Sequence, residues 1–270
     1  MKRISILFLL IAFVAICRAE SPYVTEFDVP YSVKTDAYSK ERLKLDIHHH
    51  ADAKDLPVIV WFHGGGLTGG NKSIPGELMD HGYVVVAPNY RLIPKVGAAE
   101  CIDDAAEAVA WVFNNVEKFG GDPKNIFVSG HSAGGYLTSM IGLDKTRLEK
   151  YGFDADSIRG LIPFSGQVVT HYNDRKTKGI GELTPIIDEN APLRYVRKTV
   201  PPYIIVSGDA ETELYGRYEE NLYMWRMMKL NGNDDVKIYK LDGFNHGDMV
   251  SPGFHILLEE AAHIMSNPNR

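Results

Sequence analysis

The pentapeptide Gly130-His131-Ser132-Ala133-Gly134 has the residue types and the spacing of a nucleophilic serine. The apolar run 126–128 precedes it, and residues 133–143 follow with a helical pattern. A serine on a sharp turn between a strand and a helix presents its hydroxyl to a substrate, and glycines let the two elements approach closely. Because the chain contains 25 glycines, the spacing alone is weak evidence, and the prediction depends on this context and on partner residues.

The chemistry of such a serine is acyl transfer, which needs donors for the negative oxygen that develops on the substrate carbonyl. The motif His63-Gly64-Gly65-Gly66 follows the apolar run 58–62, and its three glycines let backbone N–H groups turn toward that oxygen. The N–H of Ala133 would complete this oxyanion hole. A phosphate-binding loop is the alternative interpretation, but Lys72-Ser73 does not follow the glycines at the required spacing.

The serine also needs a general base, and His246 is the candidate. Of the ten histidines, only His246 lies in a loop after the last predicted strand, 236–241. The chain order of nucleophile, acid and histidine requires the base at this point. His255 and His263 fall on the predicted final helix, where packing or surface roles are expected.

The acid that orients the base is expected in the loop after the predicted strand 203–207. Asp209, Glu211 and Glu213 all lie in this loop. Any of the three could orient an imidazole, because the role needs only an ionised carboxylate at the second ring nitrogen. Asp209 is the first choice because it follows the strand most closely, and Glu211 is the second.

The elements that position these residues alternate along the chain. Continuous apolar runs are typical of strands buried on both faces of a sheet, and helical patterns stand between them, the clearest at 98–119. Before them, residues 43–47 alternate between apolar and polar, as in a half-exposed edge strand. The sequence therefore predicts an α/β fold, with a mostly parallel twisted sheet and helices on both faces. The apolar runs are 58–62, 83–86, 126–128, 161–164 and 203–206.

Residues 20–270 are expected to form a single domain, because α/β folds commonly run to roughly 250 residues as one unit. The irregular segment 166–200 is too long for an ordinary connection and is predicted to be a lid or substrate-binding cap. The formal net charge of −6, without a basic run, excludes nucleic acid as an expected partner. His48-His49-His50 has no accompanying cysteine or carboxylate set, so no metal site is predicted.

Residues 1–19 have the pattern of a secretory signal peptide, with charged residues, the apolar stretch 4–16 and small Ala19 at the expected cleavage point. The apolar stretch is shorter than the roughly twenty residues of a membrane span, so we expect no stable span and a secreted or periplasmic protein. Lipid attachment at Cys17 ranks below simple cleavage, because Ile16 is a poor match for the small residue that precedes a lipidated cysteine.

A set of motifs extends over nearly all of the sequence after residue 19. They are His63-Gly64-Gly65-Gly66, Asn71-Lys72, Asn89-Tyr90-Arg91-Leu92, Phe119-Gly120-Gly121-Asp122-Pro123, the run 130–135, Gly208-Asp209 and His246-Gly247. With these motifs the chain resembles the α/β-hydrolase superfamily, in particular exported carboxylesterases of the hormone-sensitive-lipase and BD-FAE-like (feruloyl-esterase-like) type. The resemblance implies the α/β-hydrolase fold with a small lid insertion.

The resemblance also implies which residues form the site, and that no metal or organic cofactor takes part. It implies a triad of Ser132, Asp209 and His246. It implies an oxyanion hole formed by Gly65, Gly66 and Ala133. Two departures stand out: Leu67 replaces the aromatic residue common after the glycines, and Glu211 lies near the acid position of one branch.

The leading hypothesis is a serine carboxylic-ester hydrolase that acts on small acyl or aryl esters through an acyl-serine intermediate. Acetyl or feruloyl esters of plant polysaccharides are among the candidate substrates, so the expected partner is a small ester, carbohydrate-linked or free. The alternatives are an arylformamidase or small peptidase of the same fold, or an exported protein that binds without turnover.

Overall fold

A sheet of eight strands organises residues 22–267, which are the residues that the computed structural model describes. Its order is β1-β2-β4-β3-β5-β6-β7-β8, with β1 and β2 antiparallel to their neighbours and the remaining pairs parallel. The predicted signal peptide and Cys17 lie outside the described residues. The strands are β1 (Tyr23–Pro30), β2 (Lys44–His50), β3 (Leu56–Phe62), β4 (Val84–Pro88), β5 (Gly121–His131), β6 (Gly160–Phe164), β7 (Tyr203–Ser207) and β8 (Val236–Lys240).

The helices lie between the strands, as the alternating pattern predicts. The helical pattern predicted at 98–119 is an α-helix followed by a 3-10 turn, Val116–Phe119, which ends at Gly120 with a left-handed φ of 78°. The described α-helices are α1 (Ala37–Arg42), α2 (Ala98–Asn115), α3 (Ala133–Leu143), α4 (Thr146–Glu149), α5 (Tyr172–Thr177), α6 (Arg217–Leu230) and α7 (Val250–Ser266).

Successive residues of β3 face opposite sides of the sheet. Val58, Val60 and Phe62 belong to a core covered by α2, α3 and α6. Ile59 and Trp61 belong to a second core, on which α7 packs. All five side chains are buried, which is why β3 contains no polar residue. The predicted α/β-hydrolase fold, with a mostly parallel sheet and helices on both faces, is confirmed.

The predicted half-exposed edge strand at 43–47 is wrong in its position. The corresponding strand, β2, lies second from the edge, because β1 pairs antiparallel along its outer side. Leu45 and Ile47 are fully buried, and so is nearly all of His48. The His48 ring is satisfied by Thr25 at 2.8 Å and Asp80 at 2.9 Å, which gives this histidine a structural role.

Six parallel strands end at one edge of the sheet, and the loops that follow five of them form the candidate site. These loops begin at His63 after β3, Ser132 after β5, Ser165 after β6, Gly208 after β7 and Leu241 after β8. Catalytic groups of open α/β sheets converge at this edge.

Candidate active site

Ser132 occupies the turn between β5 and α3 with φ 56° and ψ −113°, a conformation that costs a residue with a side chain about 1–3 kcal/mol. Its N–H donates to the Phe164 carbonyl of β6 at 2.8 Å. A Cβ on Gly134 would lie 2.0 Å from the Phe62 carbonyl oxygen, and one on Gly130 would lie 2.6 Å from the same atom. The turn therefore needs glycine at both positions to bring α3 against the end of β3.

The glycine loop after β3 lies beside this serine. A Cβ on Gly64 would be 3.4 Å from the Ser132 Cβ, and Gly65 and Gly66 have left-handed φ values of 110° and 61°. Within residues 22–267, the N–H groups of Gly65, Gly66 and Ala133 donate no hydrogen bond. Three free donors around a serine are the groups that an oxyanion requires.

The His63 side chain supports the glycine loop. Its ring stacks on Tyr90 with centroids 4.4 Å apart, and the Tyr90 hydroxyl donates to the His63 carbonyl at 2.9 Å. Burial lowers the pKa of His63 to about 4, so the ring is neutral at neutral pH. Its Nδ1–H donates to the Gly64 carbonyl at 2.7 Å, which fixes the start of the loop.

The carboxylate that contacts the base is Glu213. Its Oε1 lies 2.5 Å from His246 Nδ1, and its side chain is fully buried. Ser165 donates its hydroxyl to Glu213 Oε2 at 2.6 Å and lies 3.1 Å from His246 Nδ1. Burial alone would raise the pKa of Glu213, but the hydrogen bonds from His246 and Ser165 outweigh it and lower the pKa to about 2. Glu213 is therefore an ionised partner that holds the proton of His246 on Nδ1.

The structure does not place Asp209 against His246, which corrects the first choice of acid. Asp209 Oδ2 accepts the Gly243 N–H at 2.7 Å, and its Oδ1 accepts the Glu211 N–H at 3.1 Å. Its carbonyl accepts the Glu213 N–H at 2.8 Å. These hydrogen bonds of Asp209 stabilise the conformation of the loop that contains Glu213.

Glu211, the second choice, is also displaced from the base. Its side chain is exposed, and within the described residues it makes no contact with His246. The loop turns back on itself between Asp209 and Glu213. The carboxylate nearest to the end of β7 in the sequence is therefore not the one that contacts His246. One available signal is that an aspartate directly after a strand tends to bond backbone N–H groups of its own turn.

His131 joins the serine turn to the histidine loop. Its Nε2 lies 2.8 Å from the His246 carbonyl oxygen, and the two rings pack with centroids 4.6 Å apart. Burial and the neighbouring His246 lower the pKa of His131 to about 4, so the neutral ring donates Nε2–H to that carbonyl. No local pattern in the sequence predicts this role for His131, because its contact lies more than a hundred positions away along the chain.

The structure thus places Ser132, the three free N–H groups and His246 at one edge of the sheet, where His131 connects the turn of Ser132 to His246 and Glu213 contacts the His246 ring. The Ser132 side chain is partly exposed, and its hydroxyl makes no hydrogen bond within the part of the chain that the structure describes. Contacts between base and nucleophile commonly tighten only when substrate binds. The arrangement can carry out acyl transfer.

A cavity of about 480 Å³ lies between the segment 166–200 and the start of α6. Tyr172 in its wall also abuts the glycine loop, since a Cβ on Gly66 would lie 2.4 Å from the Tyr172 hydroxyl. Leu214, which directly follows Glu213, lines the cavity as well. One residue of the cavity wall thus contacts the glycine loop and another is the chain neighbour of Glu213, and the size of the cavity suits a small molecule.

Among residues 22–267, no three or more histidine, cysteine, aspartate or glutamate side chains are grouped so as to hold a metal ion. None of the helices in that range combines the length and apolarity needed to cross a membrane.

Comparisons with known proteins add a family and relatives. A family model described as BD-FAE matches residues 45–223. Esterase LipC from Mycobacterium tuberculosis is 25% identical over 230 residues, which cover 75% of this chain and 56% of LipC. The probable carboxylic ester hydrolase LipM from the same organism is 35% identical over 192 residues, which cover 61% of this chain and 44% of LipM. The chain thus spans about half the length of these two curated relatives.

A solved structure agrees with the fold. The truncated form of a carbohydrate esterase from gut microbiota superposes with a TM-score of 0.76 at 18% identity, covering 92% of this chain and 99% of the other. This likeness supports the α/β-hydrolase fold.

Proposed function

Because this chain belongs to the BD-FAE family of α/β-hydrolases, we propose that it is a serine carboxylesterase acting on small acyl or aryl esters. One observation carries the proposal: the buried Glu213 carboxylate contacts His246 at the same sheet edge as the strained Ser132 turn. A serine, an oriented imidazole and free backbone donors are the parts that ester hydrolysis needs.

In the proposed mechanism, His246 takes the proton of the Ser132 hydroxyl as the serine oxygen attacks the ester carbonyl. The N–H groups of Gly65, Gly66 and Ala133 stabilise the negative oxygen of the tetrahedral intermediate. The carbon–oxygen bond to the alcohol then breaks, and the protonated imidazole gives its proton to the departing alcohol. An acyl-serine remains.

Water completes the cycle. His246 deprotonates a water molecule that attacks the acyl-serine, and the second tetrahedral intermediate collapses to release the acid and the free serine. Throughout, Glu213 takes the role expected of Asp209: it keeps the imidazole in one tautomer and stabilises its charged form.

We propose the segment 166–200 as the cap that shapes the substrate pocket. Its α5 bears Tyr172, which meets the glycine loop, and Asn173, whose Nδ2 donates to the Gly66 carbonyl at 2.6 Å. Acetyl and feruloyl esters linked to carbohydrate are the substrates that the family resemblance favours. Export to the periplasm or the medium remains part of the proposal.

The test is hydrolysis of p-nitrophenyl acetate, p-nitrophenyl butyrate and a feruloyl ester by the wild type and by Ser132→Ala. The serine-less variant is expected to lose nearly all turnover, and a fluorophosphonate probe is expected to label only protein that retains Ser132. Ser266→Ala, at an exposed serine on α7, is the matched control and is expected to behave like the wild type. Folded wild-type protein that neither turns over an ester nor takes up the probe would refute the proposal.

A further inference from the structure

Two buried arginines line the cavity beside the proposed active site. Arg175 on α5 and Arg217 at the start of α6 are each 3% exposed, and both contribute to the wall of the same cavity. Within residues 22–267, neither guanidinium forms an ion pair. Two unpaired buried charges in one cavity are rare, because burying a charge without a partner is costly.

The hydrogen bonds of Arg217 leave one edge of its guanidinium free. Its Nη1 donates to the Ser165 carbonyl. Its Nε is buried without a partner, and its Nη2 makes no hydrogen bond within the described chain. Nη2 is not among the atoms closed off from solvent, so it is the donor of Arg217 that can reach a ligand oxygen in the cavity, with the charge of the guanidinium behind it.

Arg175 is in a similar state. Its Nη1 donates to the Thr184 carbonyl at 2.8 Å and its Nη2 to the Glu182 carbonyl at 2.6 Å, which leaves the buried Nε without a partner. Backbone carbonyls are neutral, so these two bonds orient the guanidinium without cancelling its charge. Both arginines therefore hold a positive charge at the cavity wall.

The carboxylates of the cavity offset the charge of this pair only in part: Glu220 favours the charged form of both arginines from a distance, but neither arginine has a carboxylate within ion-pair distance among residues 22–267. Glu220 Oε2 accepts the Val168 N–H at 3.1 Å, and Glu182 is exposed to solvent. Burial lowers the pKa of both arginines, although Glu220 acts in the opposite direction on each. An anionic ligand would relieve the cost of burial for both.

We propose that this cavity binds a carboxylate group carried by the substrate, so that the preferred esters bear a free carboxylate in their acyl or alcohol part. The inference rests on the proposed esterase function and adds the substrate class. The place of the cavity supports it, because Leu214 follows the acid Glu213 and Tyr172 abuts the glycine loop. Leu183 and Pro185 in the same wall supply apolar surface for the rest of the ester.

Matched ester pairs that differ only in charge test the proposal. 4-Butyryloxybenzoate is compared with 4-butyryloxybenzamide for the alcohol side, and monophenyl glutarate with its amide for the acyl side. We expect kcat/KM of the wild type to favour the carboxylate member of at least one pair by about tenfold or more, as a charge-assisted hydrogen bond allows.

Three variants connect that preference to the arginines. Arg217→Gln and Arg175→Gln are each expected to reduce the ratio of kcat/KM values within the favoured pair to about 1. Arg226→Gln, at an exposed arginine on α6, is the control and is expected to keep the wild-type ratio. The ratio of kcat/KM values within a pair is independent of any change in overall activity. If a variant does not fold, the preference of the wild type between the two members of each pair decides.

Two failures are distinguishable. Serine-dependent hydrolysis of the neutral esters, with a ratio of 1 or less in both pairs, would overturn the carboxylate site and leave the esterase intact. Absence of turnover on every ester would instead reject the esterase proposal. Calorimetric titration of the wild type with 4-hydroxybenzoate and glutarate, each against its neutral amide, then tests the cavity by itself: binding of either carboxylate without its amide supports the site, and equal or no binding within both pairs overturns it.

Discussion

Glu213 Oε1 lies 2.5 Å from His246 Nδ1, four positions beyond the aspartate that the sequence favours for this contact. Asp209 instead accepts the N–H groups of Gly243 and Glu211, and so holds the loop in the shape that delivers Glu213. Glu213 therefore contacts the base, whereas Asp209 stabilises the loop, and substitution of each residue tests this division of roles.

We expect Glu213→Gln to lower kcat for p-nitrophenyl butyrate by about 10³–10⁴-fold, because an uncharged amide neither selects the tautomer of His246 nor stabilises its charged form. Asp209→Ala is expected to lower kcat only about tenfold or less, through a looser loop. Steady-state kinetics on both variants check this. A greater loss in Asp209→Ala than in Glu213→Gln would return the acid role to Asp209.

The depressed pKa of Glu213, about 2 against an ordinary value of 4.5, predicts an acid dependence of stability. A carboxyl group whose pKa is lower in the folded than in the unfolded protein stabilises the folded state at a pH above its unfolded pKa. This contribution is lost as the pH falls through 4.5 toward 2. Urea unfolding between pH 6 and pH 3 is expected to show a shallower decline in Glu213→Gln than in the wild type. Glu211→Gln, at an exposed glutamate, serves as the control, and identical slopes in all three proteins would contradict the prediction.

The close approach of α3 to β3 predicts that Gly134→Ala destabilises the protein. Its new Cβ would stand 2.0 Å from the Phe62 carbonyl oxygen, which is backbone and has little freedom to yield. The expected cost is about 1–3 kcal/mol or more, together with loss of activity as the Ser132 turn shifts. Gly76→Ala, where nothing lies within 4 Å of the added Cβ, is the control. Thermal unfolding of both variants decides, and equal Tm values would show that the turn yields after all.

The link between His131 and the His246 carbonyl predicts a positioning role for His131. His131→Asn is expected to lower kcat about tenfold with little change in KM, because a misplaced base slows the reaction without altering the pocket. The stability loss is expected to stay at about 1 kcal/mol, the usual net worth of one hydrogen bond. His255→Asn, at a histidine 77% exposed in its side chain, is the comparison. If His131→Asn lowers Tm without lowering kcat, His131 stabilises the fold and does not position His246.

Much of the fold can be predicted from short segments of the sequence. The continuous apolar runs predict the parallel strands, and the glycines around Ser132 predict the sharp turn, because both depend on residues next to one another. The position of β2 was predicted less well. An alternating pattern indicates one buried face, but whether another strand covers the outer edge depends on β1, which reaches β2 only in the folded chain.

By itself, the sequence determined the fold class and the candidates Ser132, His246 and the glycine loop, since each follows from short-range sterics and from chain order. The tertiary structure alone decided which carboxylate meets the base and which charges are buried beside it. A carboxylate acts where its loop delivers it, and Glu213 reaches His246 because Asp209 bonds Gly243 across the loop. In the same way, only the packing of the segment 166–200 against α6 buries Arg175 and Arg217 in one cavity wall, which is the arrangement that the proposed carboxylate site depends on.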